Sequence, residues 1–387
     1  MKRTIAILIA LFAVIAVIQA QTTVALPNLV PHDARSMGTG GAFSAVTWGY
    51  DSFYGNPAGF ASGRAQLTLA DASVWAYVKP TEANIASVQD LASGTPDVGA
   101  FAGLASSLLT ENGLGAGLSF GLGYAGRGLG IGAFVVGDAV ASGQTILGAK
   151  LQSSVNASAV IGLGVPLNFG DFMSLRLGAD VRPSVRLEAA NGGWAFASLL
   201  GALTGSSTPG GASITDQLVV AGFGIALDAG AQLSLGSLSF GLAIRDIMPN
   251  FPMMTESLAD LQANPNLQFD ANSATATAIP SVTAGVAWRP VFIKGILEPG
   301  VYFEVQDPVS VIKDKESVWN LLHAGADLKL LSMVTLRGGI NRGWLSAGVG
   351  LNLFLVEINA AVFTEELGSH PGDFGRTGVS VQADIHL

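Results

Sequence analysis

The stretch from residue 173 to 188 limits the possible folds more than any other. Leu175, Leu177, Ala179, Val181, Val185 and Leu187 share one parity, and Arg176, Asp180, Arg182, Arg186 and Glu188 share the other. Successive side chains of a strand point to opposite faces, so this is a strand with one apolar and one charged face. A charge facing lipid near the bilayer midplane costs about 2–4 kcal/mol, so five of them must face water. The apolar face then needs either a protein core or the hydrocarbon of a membrane.

Composition favours the membrane. Only 12% of the 387 residues are charged against 49% hydrophobic, and there are 50 glycines. A soluble domain would need about twice that share of charge to coat its surface. The glycines follow no three-residue period, which excludes collagen, and the apolar content excludes disorder. An inner-membrane helical bundle needs apolar runs of about 18 residues or more. The one run that comes near is Ile5 to Ile18, preceded by Lys2 and Arg3 and followed by Ala20. Residues 1–20 therefore read as a secretory signal peptide, with an uncleaved anchor as the alternative. The chain has no cysteine, hence no disulfide, thiolate metal site or lipoprotein anchor. Its net charge of −9 is thinly spread, and no basic cluster points to nucleic acid. An exported chain of this composition is expected to be an all-β protein, a transmembrane antiparallel barrel in the bacterial outer membrane.

The same alternation recurs along the chain. Leu322, Ala324, Ala326 and Leu328 oppose His323, Asp327 and Lys329; Leu297, Val301, Phe303 and Val305 oppose Glu298, Tyr302, Glu304 and Gln306. Val334, Leu336 and Ile340 oppose Thr335, Arg337 and Asn341, and the run Val379 to Leu387 alternates to its end. Counting such segments gives about 14 strands, at 65–78, 115–125, 128–140, 153–166, 173–188, 218–234, 237–247, 281–290, 295–306, 319–330, 333–341, 343–353, 355–364 and 376–387. An even count is what a single-chain bacterial barrel requires. Short turns are expected near Gly126, Gly170, Gly236 and Leu331, and long loops at 79–114, 189–217, 248–280 and 307–318. In this class the short turns face the periplasm and the long loops the outside. Apolar stretches at 97–110 and 193–203, the latter with Trp194, Phe196, Leu199, Leu200 and Leu203, suit either a cap on the barrel mouth or a greasy binding site, with plain loop packing as the alternative.

Residues 21–63 precede the barrel, 64–387, and read as a compact glycine-rich plug. A lumen of about fourteen strands is too wide for side chains alone to fill. The plug carries Ala34-Arg35-Ser36-Met37-Gly38-Thr39-Gly40-Gly41-Ala42-Phe43, then Asp51 and Asn56-Pro57-Ala58-Gly59. These residues resemble the FadL-like outer-membrane transporters and their PorV-type relatives. Leu322 to Ala326, Leu336 to Asn341 and Glu365-Glu366-Leu367-Gly368 are also similar; over about 80–280 the likeness is one of class only. Thr47-Trp48-Gly49-Tyr50 and the final Leu387, where an aromatic residue is usual, depart from the pattern. The resemblance implies an N-terminal hatch closed by the Asn-Pro-Ala turn, with Asn56, Pro57, Ala58, Gly59, Asp51 and Arg35 as its marked positions.

The catalytic signals are weak. His32, His323, His370 and His386 lack metal-ligand spacing. Gly117-Leu118-Ser119-Phe120-Gly121 matches a nucleophile elbow and Gly121 to Gly126 a dinucleotide fingerprint, but both lie in alternating strand with no helix after it. No enzyme activity, cofactor or metal is expected. The resemblance implies instead a channel for hydrophobic small molecules such as long-chain fatty acids. Trp194, Phe196, Leu199, Phe251, Met253 and Met254 are the candidate ligand contacts, methionine suiting variable ligands. Asp33, Arg35 and Asp51 are candidates to tie the hatch to lumen charges such as Arg176, Arg182 and Arg186. Those arginines suit a carboxylate head group as well, or a solvated wall of internal ion pairs. Two other roles stay open: a barrel partner of a protein-secretion system, and a structural outer-membrane protein. Outer-membrane lipids and the barrel-assembly machinery are the expected partners in any case.

Overall fold

The computed structural model describes residues 24–26, 29–78, 109, 112–145, 147–170, 172–198, 214–247, 250–264, 274–278, 280–308 and 316–387. Fourteen strands form the wall: β1 Ala65–Tyr77, β2 Leu114–Gly126, β3 Leu129–Ser142, β4 Lys150–Phe169, β5 Met173–Ala189, β6 Leu218–Leu235, β7 Leu238–Ile247, β8 Ser281–Trp288, β9 Leu297–Gln306, β10 Leu322–Leu330, β11 Val334–Asn341, β12 Trp344–Asn352, β13 Val356–Glu366 and β14 Gly375–His386. Each pairs antiparallel with its neighbours in sequence, and β14 pairs with β1. The sheet is therefore a closed barrel with no free edge, and every predicted strand is present within a few residues of its expected ends. At the seam Leu67 and Leu387 exchange backbone hydrogen bonds of 3.0 and 2.9 Å.

Alternation sets inside from outside. On β4, Val155, Ile161, Leu163 and Val165 are exposed, whereas Asn156, Ser158 and Val160 are buried. Exposed apolar residues recur around the barrel from Leu67 to Ile385, with Ala326 the exposed one on β10, giving an outer surface suited to hydrocarbon. A bulge between Thr68 and Asp71 switches the parity of β1. Leu69 and Val74 can thus both point outward while Gln66, Thr68, Asp71 and Ser73 are buried.

The expected tight turns form at one end, with positive φ at Gly126, Gly170, Gly236 and Leu331. The alternation of short and long connections has two departures. Residues 289–296 make a longer link at the short-turn end, and Arg342–Gly343, both at positive φ, make a two-residue turn at the long-loop end. The long loops also hold added strands. Asn250–Ser257 extends the wall beside the upper part of β6 and pairs with Ala274–Ala278, which in turn pairs in parallel with Val24–Leu26. The expected signal peptide at 1–20 and the apolar stretches at 97–108 and 199–203 lie outside the described residues.

Candidate functional site: the lumen segment and its ties to the wall

Residues 32–62 touch inward-facing side chains around the whole barrel and so occupy its lumen. The segment enters beside the long-loop ends of β1, β13 and β14 and leaves through Gly63–Arg64 into β1 at the short-turn end. It has little regular structure: a one-turn helix α1, Ala34–Gly38, and two 3-10 turns, Gly49–Phe53 and Pro57–Ala61. Helices this short are unstable alone, so side-chain caps and the wall must hold them.

Asp33 caps α1 by accepting from the Ser36 N–H at 2.8 Å. Burial, then the nearby Asp51, pushes the Asp33 carboxyl above its ordinary value. Asn56 caps the second 3-10 turn. Its Oδ1 accepts from the Ala58 N–H at 3.0 Å, and its Nδ2 donates to the carbonyls of Ser44 and Ala231, each at 3.1 Å. Pro57 at the first turn position lacks the N–H that would go unpaired there. Asn56 and Ala58 are completely buried. A Cβ at Gly59 would overlap the Ser52 hydroxyl, so only glycine closes this turn.

One side of the wall receives rings. Phe60 sits over Gly130 and Gly162, Phe53 over Gly123 and Gly132, and Tyr50 over Gly121; a Cβ at any of these glycines would strike the ring. Five glycines are thereby explained: inward positions of β2–β4 are emptied to receive three aromatic side chains. The other side binds backbone. Glu304 accepts from the N–H groups of Phe43 and Ser44 at 3.1 and 2.7 Å. His323 Nδ1 lies 2.8 Å from the Gly40 carbonyl oxygen, and Gln306 donates to the Gly41 carbonyl at 3.2 Å. Gln232 Nε2 donates to the carbonyls of Ser44 and Thr47, each at 3.0 Å, and Arg245 to that of Phe53 at 3.1 Å.

The charged ties differ from expectation. Arg35 meets Asp51 at 2.9 Å within the segment and Glu357 and Asp384 of the wall at 3.5 Å each, rather than leaving Asp51 to lumen arginines. Arg182 is already engaged by Asp228 at 3.1 Å and by Asp246, and Arg186 by Glu188. Alternation turns Asp228 inward on β6, and on β7 Asp246, at positive φ beside a register shift, turns inward next to Arg245, so both acids meet Arg182. Asp180 faces Asp228 across the β5–β6 ladder with both carboxylate oxygens buried and unpartnered. Arg176 lies toward the short-turn end of β5, where the neighbouring charge is Arg64.

The five candidate ligand contacts among the described residues fall in separate places rather than in one groove. Phe196 packs with Leu109, Ala141 and Ala149. Trp194 donates from Nε1 to the Leu218 carbonyl at 2.8 Å. Phe251 and Met253 lie in a separate cluster with Ala276 and Val220, over Gly224 and Gly222. Met254 is half-buried opposite Ala221, and Leu199 lies outside the described residues. Phe251 and Met253 spend their apolar surface on β6 and on the added strand at 274–278, and Phe196 spends its own on the end of β3 and the residues that follow it. A groove of about 460 Å³ lies on the outer wall among Phe120, Leu122, Ala133, Ala159, Val185 and Phe223, away from the lumen.

His32 carries a feature that its sequence neighbourhood does not reveal. The imidazole lies 5.2 Å from the Trp75 ring and 5.5 Å from Phe363, stacked, with Tyr77 edge-on at 6.0 Å. Its Nε2 is 3.2 Å from Glu365. Burial alone would lower its pKa, but the Glu365 carboxylate outweighs this and holds it above the ordinary value. An isolated histidine fits no strand period, and its partners lie more than forty residues away. The elbow-like Ser119 is buried in the middle of β2, with no strand-to-helix turn beside it.

No family model and no curated protein matches the chain. Solved structures do. The CymD monoaromatic hydrocarbon channel is 12% identical, covering 94% of this chain and 99% of its own, with a TM-score of 0.47. The Pseudomonas putida toluene transporter TodX is 13% identical over 95% and 99%, with a TM-score of 0.44. A Pseudomonas aeruginosa FadL homologue is 13% identical over 92% and 98%, with a TM-score of 0.42.

Proposed function

We propose that this barrel passes hydrophobic small molecules across the bacterial outer membrane, with residues 21–63 as a hatch and residues 1–20 as the export signal. The observation that carries this reading is how the lumen is filled. On the side opposite the aromatic rings, the wall holds the lumen segment through single side-chain contacts to its backbone, such as those of Glu304, Gln232 and Arg245, with no continuous ladder. Contacts of that kind can be released a few at a time, as a gate requires, whereas a structural filler gains most from strand pairing. The outer surface supplies apolar area of the kind a lipophilic solute would meet in the bilayer.

Long-chain fatty acids are the first class to test and monoaromatic hydrocarbons the second. Radiolabelled oleate and toluene would be titrated into the refolded protein with and without residues 21–62. Saturable binding that changes on deletion supports the hatch-gated channel. A folded barrel that binds neither ligand in either form removes this reading in favour of a structural or secretion-partner role.

A further inference from the structure

His32 fills a box that is assembled without it. Trp75 Nε1 and the Tyr77 hydroxyl both donate to the same oxygen of Asp138, each at 2.8 Å. Arg376 lies 4.0 Å above the Tyr77 ring and donates to Glu365 at 2.6 Å. Phe363 forms the remaining wall and, like Tyr77, is completely buried. Gly117 and Gly378 leave the room that the Trp75 and Phe363 rings occupy. None of these orienting contacts involves residue 32.

Without His32 the box holds two carboxylates, Asp138 and Glu365, against one guanidinium, Arg376. It is one positive charge short, and its aromatic faces attract cations. One imidazole edge meets Glu365, while Nδ1 is buried with no partner, a fit not specific to histidine. The box lies where the long loops begin, Tyr77 being the last residue of β1 and Arg376 the second of β14. Trp75, Tyr77 and Phe363 belong to a larger apolar cluster against which Leu29, Met37 and Phe43 pack, partly buried.

We propose that Trp75, Tyr77, Phe363 and Glu365 form a binding site for a planar organic monocation, an aryl-amidinium or imidazolium, which His32 occupies in the closed state as a built-in competitor. This holds whether or not the barrel transports hydrophobic compounds.

The test titrates benzamidinium, and benzyl alcohol as a neutral control, by calorimetry into the full refolded chain. The His32→Gly variant is expected to bind benzamidinium saturably, about tenfold or more tighter than wild type and than its own affinity for benzyl alcohol. Adding Glu365→Gln is expected to remove that preference, and His32→Phe, which keeps a neutral ring in place, to bind no cation. If His32→Gly refolds poorly, benzamidinium and not benzyl alcohol should restore the yield. Folded His32→Gly that binds no benzamidinium, binding that ignores Glu365→Gln, or a yield that benzamidinium does not restore would each overturn the proposal. Oleate and toluene binding by the same variants reports separately on the transport reading.

Discussion

The two sides of the lumen hold the same segment by different physics. Along β2–β4, rings enter notches left by glycines: Phe60 at Gly130 and Gly162, Phe53 at Gly123 and Gly132. Along β9–β14 the segment is held by charges and single hydrogen bonds, from Glu304, His323, Glu357, Asp384 and Glu365. The first kind of contact depends on shape, is indifferent to salt and pH, and fails all at once when a ring or notch is altered. The second is directional and can be titrated or exchanged bond by bond. A segment built this way is expected to hinge on its aromatic side and to loosen first on its polar side.

The largest break in this contrast comes from Phe60→Ala, which empties a completely buried ring site. Such truncations cost about 3–5 kcal/mol. Limited proteolysis of the folded variant should cut within 33–62 far faster than in wild type; equal rates would show that the rings do not anchor the segment. Next, Glu304→Ala leaves the buried N–H of Ser44 and the partly buried N–H of Phe43 without their acceptor. A loss of about 1–3 kcal/mol is expected, seen as faster amide exchange confined to residues near 43. Exchange that instead spread to Phe60 would blur the distinction between the two sides. Asn56→Ala removes a cap and two wall contacts, with an expected cost of about 1–2 kcal/mol. Asn56→Asp should recover the cap to the Ala58 N–H but not the two donations.

The smallest effect is that of pH. The His32 imidazole is raised above its ordinary value of about 6.5, so the anchoring it adds is complete below that pH and fades as pH rises through the folded value. Cleavage just before residue 32 should therefore quicken toward alkaline pH in wild type. His32→Gln should give a flat profile; a wild-type profile equally flat would mean that the imidazolium does not hold the entry.

All fourteen strands could be read from parity alone, because an inside–outside choice at every second residue is the one constraint a barrel imposes along its full length. Even β3 and β4, where Gly and Ala blur the period, fell near their places. The strand at Asn250–Ser257 was missed because Pro249 and Pro252 argue against a strand, although it pairs with β6. The marked positions of the lumen segment were visible as a motif, but their partners were not. Arg35 meets Glu357 and Asp384, more than three hundred residues away, and no local spacing encodes which inward carboxylate ends nearest. The purpose of glycines such as Gly162 was equally hidden, since their use is defined by a ring from another part of the chain.

The seam between β14 and β1 bears on how such a molecule is made. It joins Ser380 to Trp75, among the most sequence-distant pairings in the wall, and contacts that close long loops tend to form late. The lumen segment is tethered to β1 by only Gly63 and Arg64, so it travels with the strand that shuts the ring. Filling the interior and completing the circle thus become one step in biogenesis. Damage to the segment would then first be seen as barrels that close slowly or remain open.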